Sequence, residues 1–151
     1  MTTITFAQFI SEHDAKKTIQ LNVLKWSYML CESLVKDYHE CAIRGHQHFI
    51  DQGESVEHHQ KQIEKLKQGI SPINYVIQSG SKYHKIIMTD GGNSRSTHAF
   101  VDKKTGEIYK AESWNRPAKG VRYDLRLIKD REWLFENADY SGGYLYKRFM
   151  V

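Results

Sequence analysis

Apolar residues in the first third of the chain recur at alternating spacings of three and four. Leu21, Leu24, Tyr28, Cys31, Val35, Tyr38 and Ala42 follow this rule, which sets them on one stripe of an α-helix. Trp26, Leu30 and Leu34 widen the stripe beyond what one partner need cover. The spacing predicts a helix from about Asp14 to about Gly45, where glycine supplies a left-handed terminus. Ahead of it, Thr5 and Gln8 have the form of a capping box opening a short amphipathic turn with Phe6, Phe9 and Ile10. After a turn at 51–55, Ser55 is a candidate cap for a polar helix reaching Gln68. Val56, His59, Ile63 and Leu66 form its thin apolar stripe, and Gly69 with Ser71-Pro72 ends it.

From Ile73 the apolar period changes to two. "NYVIQSG" and "KYHKIIMTDGG" read as strands, with breaks at Ser79-Gly80-Ser81 and Gly91-Gly92-Asn93. "STHAFVDKKTGEIYKAE" reads as a hairpin. A strand from Thr97 to Val101 enters a turn at 102–106, and Glu107 to Ala111 returns, with Gly106 free to take positive φ. Alternation puts His98 and Phe100 on one face, Ala99 and Val101 on the other. After Pro117, alternation returns briefly at Val121 and Tyr123. Asp130 is placed to cap a helix carrying Trp133, Leu134 and Phe135 that ends near Asp139, and "SGGYLYKRF" suggests a glycine-hinged turn into a last strand. The fold class this predicts is α+β: N-terminal helices packed on a C-terminal antiparallel sheet of three to five strands, with one later helix. No repeat or linker divides the chain, so residues 1–151 read as a single domain with a helical half (about 5–68) and a sheet half (about 73–151).

Composition narrows the function classes. With 40% apolar and 26% charged residues among 151, the chain is globular in character and long enough to bury a core. No apolar run approaches the ~18–20 residues that span a bilayer. The N-terminus lacks a basic start followed by an apolar export segment, so a cytoplasmic location and no membrane partner are expected. Cys31 and Cys41, if on one helix, lie ~15 Å apart, beyond disulfide reach. The net charge of +4 is unevenly spread: residues 80–151 hold fourteen Lys or Arg against nine Asp or Glu, residues 1–79 eight against nine.

The stretches "STHAFVDKKTGEIYKAESWNRPAKGVRYDL" and "ADYSGGYLYKR" resemble uncharacterised small proteins of tailed phages, especially those infecting marine cyanobacteria and other marine bacteria. The resemblance covers about residues 81–148. It implies a phage accessory protein working inside a bacterial host cell, and it brings no activity, cofactor or catalytic residue with it.

The eight histidines raise the question of a metal. His46 and His48 form an H-x-H pair, but on a helix residues two apart diverge by about 200° and could not converge on one ion. His58 and His59 are adjacent, no H-E-x-x-H is present, and no metal or other cofactor is expected. Both cysteines fall on or near the apolar helix stripe, where a thiol behaves as a small inert hydrophobe. No G-x-S-x-G elbow or phosphate-cradling glycine loop occurs. The remaining enzymatic reading sets His84 and His98 on neighbouring strands, with Asp102 or Glu112 to orient one ring for acid–base chemistry.

The strongest feature is the segment around Trp114. Lys103 to Arg131 carries nine basic and four acidic residues. Lys and Arg neutralise phosphates, and Tyr109, Trp114 and Tyr123 offer faces on which bases stack. The residues expected to bind nucleic acid are Lys103, Lys104, Lys110, Trp114, Arg116, Lys119, Arg122 and Arg126. The leading expectation is a non-enzymatic accessory protein that binds nucleic acid with little sequence preference. The alternative is a module that binds a host protein or self-associates as a homo-oligomer, since the first long helix carries surplus apolar area. An enzyme using His84 and His98 comes third. The competing structural reading makes the lysines an ordinary wetted edge that deters strand pairing.

Overall fold

Thr5 opens one unbroken helix, α1 (Phe6–Asp51), in the computed structural model, which describes residues 5–146. The capping box is formed: Thr5 Oγ1 accepts from the Gln8 N–H at 3.2 Å, and Gln8 Oε1 accepts from the Thr5 N–H at 3.0 Å. At 46 residues, α1 is ~69 Å long. It neither restarts at Asp14 nor ends at Gly45, contrary to the sequence expectation. Nothing between Phe6 and Arg44 is a glycine or proline, so no residue there interrupts the hydrogen-bond ladder. Beyond Gly45 the helix is held by α2 (Val56–Lys67), which folds back on it. His46 Nδ1 lies 2.7 Å from His59 Nδ1, and Phe49 stacks on His59 at 4.9 Å. The turn comes at Gly53, with φ of +74°. Ser55 does precede α2, but through a left-handed backbone and without a side-chain capping bond.

The sheet half is a meander. Strands β1 (Ile73–Ser79), β2 (Tyr83–Asp90), β3 (Ser94–Asp102), β4 (Glu107–Lys110) and β5 (Tyr123–Asp124) pair antiparallel in sequence order. The fold class is therefore α+β, with five strands. One face of the sheet, carrying Tyr75, Ile86, Ala99, Val101 and Ile108, forms the core with Val23, Leu30, Cys31 and Leu34 of α1. Leu125, Leu134 of α3 (Ile128–Asn137) and Leu145 close that core. The buried stripe of α1 is thus rotated from the predicted one. Leu30 and Leu34 are fully buried while Leu21 and Tyr28 are exposed, because the sheet packs on the flank of the stripe. Ser27 is also buried, its hydroxyl donating to the Val23 carbonyl at 2.8 Å within the same helix.

Three further expectations are corrected. The β2–β3 register passes from Ile86↔Ala99 to Ile87↔Thr97, leaving His98 as an extra residue in a β-bulge. A bulge breaks strict alternation, and the His98 ring joins the core side, against Tyr75 and Tyr144, away from Phe100. Asp130 does not cap α3, which starts at Ile128 with Leu127 in the capping position. Its carboxylate instead accepts from the Asp124 N–H at 2.8 Å, tying α3 to β5. The glycine hinge is present, with Gly142 at φ +84°, but Gly143–Leu145 forms a 3-10 turn; the rest of the expected last strand lies outside the described residues. No helix among the described residues is long and apolar enough to cross a membrane.

Candidate nucleic-acid interface

The helices pack on one face of the sheet and leave the opposite face free of helices. Register and alternation place Val76, Tyr83, Lys85, Arg95, Thr97, Phe100 and Tyr109 on that open face. Lys85 pairs with Phe100, and Phe100 with Tyr109, in one row across three strands. Tyr83 packs edge-on against Phe100 at 5.6 Å and against Tyr109 at 6.0 Å. Phe100 is buried and the two tyrosines are half-buried, so the row is a ridge with one ring as its base.

Trp114 reaches this face through the loop that follows β4. Ala111 and Pro117 form an isolated bridge, and the Glu112 and Ser113 N–H groups donate to the Arg116 carbonyl at 2.8 and 3.1 Å. This closes a small hairpin with Trp114 near its tip. The Thr97 hydroxyl donates to the Trp114 carbonyl at 2.8 Å, pinning the tip over β3. Trp114 remains 41% exposed. The Lys85 ammonium sits 4.4 Å from its ring centroid and the Arg95 guanidinium 5.8 Å, both within cation–π range. Lys85 also donates to Asn115 Oδ1 at 2.6 Å, and Lys82 lies 5.3 Å over Tyr83. Beside this ridge is a hollow of about 400 Å³ lined by Gln78, Gly80, Lys82, Tyr83, Lys85 and Asn115, among others. The result is a half-exposed indole against two cations, with a hollow nearby that shares Lys85 and Asn115 with its surroundings.

The eight residues expected from sequence do not converge here. Trp114 is at the centre, and Arg116, Lys104 and Lys119 are exposed. Arg122 is a structural cation: its Nε donates to the Leu145 carbonyl at 2.6 Å and one terminal nitrogen to the carbonyls of Lys119 and Gly120 at 3.0 and 2.7 Å. Arg126 forks onto Asp124, with a closest contact of 3.0 Å, and that carboxylate holds its pKa up. Lys110 lies 4.7 Å over the Tyr146 ring, and Lys103 donates to the Gly80 carbonyl at 3.0 Å. Conversely Lys85 and Arg95, the cations that do lie against Trp114, were not in the predicted set. They lie far from it in sequence, and only strand pairing brings them together.

The acid–base reading of His84 and His98 fails on geometry. His84 bonds Ser79 Oγ at 2.7 Å and borders a cavity with Lys17, Leu21, Leu24 and Lys103. His98 bonds the Tyr144 hydroxyl through Nε2 at 2.8 Å and borders a different cavity with Lys110, Ser141 and Gly142. Neither Asp102 nor Glu112 orients either ring; Asp102 Oδ1 accepts from the Lys104 and Thr105 N–H groups in the β3–β4 turn. Burial lowers both imidazole pKa values, that of His98 to about 4 against the opposing charge of Asp139. A ring so hard to protonate is poorly matched to acid–base work near neutral pH.

The other chemistry candidates are likewise absorbed by structure. Cys31 and Cys41 are free thiols, and burial pushes Cys31 up to about 12, so it is a poor nucleophile. His46 and His59 spend Nδ1 on each other. Among the described residues, no group of three or more His, Cys, Asp or Glu is placed to hold a metal ion.

A family model described as a family of unknown function (DUF7717) matches residues 6–147, and the chain belongs to that family. No curated protein and no solved structure matches the chain.

Proposed function

We propose that this family member is a non-enzymatic accessory protein, of the phage type that residues 81–148 resemble, which binds single-stranded nucleic acid on the open face of its sheet. The observation that carries the reading is Trp114, held 41% exposed by its own small hairpin with Lys85 and Arg95 against its ring. An exposed indole offers a base a stacking partner worth ~1–3 kcal/mol, and adjacent cations meet the phosphates on either side. Tyr83 and Tyr109 continue the aromatic ridge along the same face. The flat indole and tyrosine rings of this face suit unpaired bases, whose faces are free to stack, better than a double helix.

Fluorescence anisotropy of labelled single-stranded DNA, single-stranded RNA and duplex DNA over a salt series tests the proposal. Micromolar binding of single strands that weakens with salt is expected. Trp114→Ala should weaken it at least ~5-fold, the equivalent of ~1 kcal/mol. Lys85→Glu/Arg95→Glu should weaken it further and flatten the salt slope. Trp133→Phe, on the helical side where that ring stacks on Tyr123, should leave it unchanged. Arg122 and Arg126 are unsuitable probes, since their loss would act through the fold. An absence of binding at low salt, or binding indifferent to Trp114, overturns the proposal.

A further inference from the structure

The N-terminal end of α1 is unlike the rest of the helix. Every residue from 5 to 21 is exposed, including Phe6 at 78%, Phe9 at 59%, Ile10 at 43% and Leu21 at 68%. At about 100° per residue, Phe6, Phe9, Ile10, His13, Lys17, Leu21 and Leu24 all fall on one side of the helix. The upper part of this stripe, at Lys17, Gln20, Leu21 and Leu24, forms one wall of a groove of about 380 Å³ whose other wall is Ser79, His84 and Lys103. Thus one segment presents protruding rings, and the next presents an apolar hollow.

Charge follows the same division. Glu12 and Asp14 precede Lys16 and Lys17, and none of the four has an ion-pair partner among the described residues. A second copy laid antiparallel brings acids onto bases, whereas a parallel copy sets like charge on like. Two independent patterns give one register. Acids meet bases when facing residue numbers add to roughly 30, and the same register sets Phe6 opposite Leu24 and Phe9 opposite Leu21, as a two-fold contact requires.

We infer that the first five turns of α1 are a self-association surface, on which a second copy of this chain packs antiparallel about a two-fold axis near Ala15. Phe6 and Phe9 of each copy enter the groove of the other beside Leu21 and Leu24. Asp14 then faces Lys17 of the second copy on one flank, while Glu12, about 20° from Ile19 around the helix, points away from the contact. Both contacts occur twice, so the arrangement closes at a dimer. The inference does not depend on the nucleic-acid reading.

Sedimentation equilibrium on the full chain tests it. The wild type should approach twice the 17.7 kDa chain mass as concentration rises, and Phe9→Glu should stay monomeric. Lys17→Glu should raise the dimer dissociation constant at least ~10-fold by setting it against Asp14 of the second copy. Adding Asp14→Lys to that variant reverses the pair and should restore the dimer. Ile19→Glu, on the opposite side of the same helix, should leave it intact. All these positions are solvent-exposed, so circular dichroism should be unchanged in each variant. A wild type monomeric up to ~500 µM overturns the inference, since so weak an association would be worth under ~5 kcal/mol. So does charge reversal without effect, failure of the full swap to rescue, or equal disruption by Ile19→Glu.

Discussion

His98 is held neutral by burial, and this makes stability depend on pH in a definite direction. Its folded pKa of about 4 lies below the ordinary 6.5. As pH falls through 6.5 the unfolded chain takes up a proton that the folded chain refuses until about 4. Stability is therefore lost on acidification across that window, by ~2 kcal/mol between pH 7 and pH 4.5. His98→Gln removes the titrating group along with the bond to Tyr144. The variant should be less stable than wild type at pH 7, and the gap should narrow by ~2 kcal/mol by pH 4.5. Urea unfolding at pH 7, 5.5 and 4.5 measures this, and a gap independent of pH would contradict it. His84, whose pKa burial also lowers, is present in both proteins and cancels in the comparison.

At the scale of elements, α1 shows where sequence reading succeeds and where it stops. Gly45 is exposed inside the helix, and a Cβ added there would meet nothing within 4 Å. Gly45→Ala should therefore stabilise the protein by ~0.5–1 kcal/mol through helix propensity alone. A chemical denaturation midpoint that does not rise would show that this turn is not helical in solution. The continuation past Gly45 was not legible because it depends on His59, thirteen residues from its partner His46. Local signals did read through: the Thr5–Gln8 box, the change of period at Ile73 and the glycine at 106 each act within a few residues. The bulge at His98 was hidden because one strand alone does not reveal an extra residue; its partner β2 defines it. The proposed face was half legible for the same reason. Trp114 was visible as an aromatic residue within a basic segment, whereas the meeting with Lys85 and Arg95 required three strands in register.

For the whole molecule, the two proposals combine into a length-dependent affinity. A two-fold dimer carries two open sheet faces, and the pairing surface at residues 6–24 of α1 uses none of the residues around Trp114. A strand long enough to touch both faces would bind the second one intramolecularly, at an effective concentration set by the connecting nucleotides. A strand of ~12 nucleotides fills one site of the usual size, and one of ~60 can reach two. Wild type should therefore hold the longer strand more than ~10-fold tighter per site at concentrations where it is dimeric. Phe9→Glu should lose that advantage and keep wild-type affinity for the short strand, because its sheet face is untouched. Trp114→Ala should weaken both strands while leaving the dimer intact by sedimentation. Anisotropy with the two lengths across these three proteins separates the ideas. Short-strand binding without a length advantage in a dimeric wild type would mean that the two faces cannot be bridged. A length advantage that survives Phe9→Glu would mean that the strand itself gathers monomers, and the helix surface would then have no part in binding.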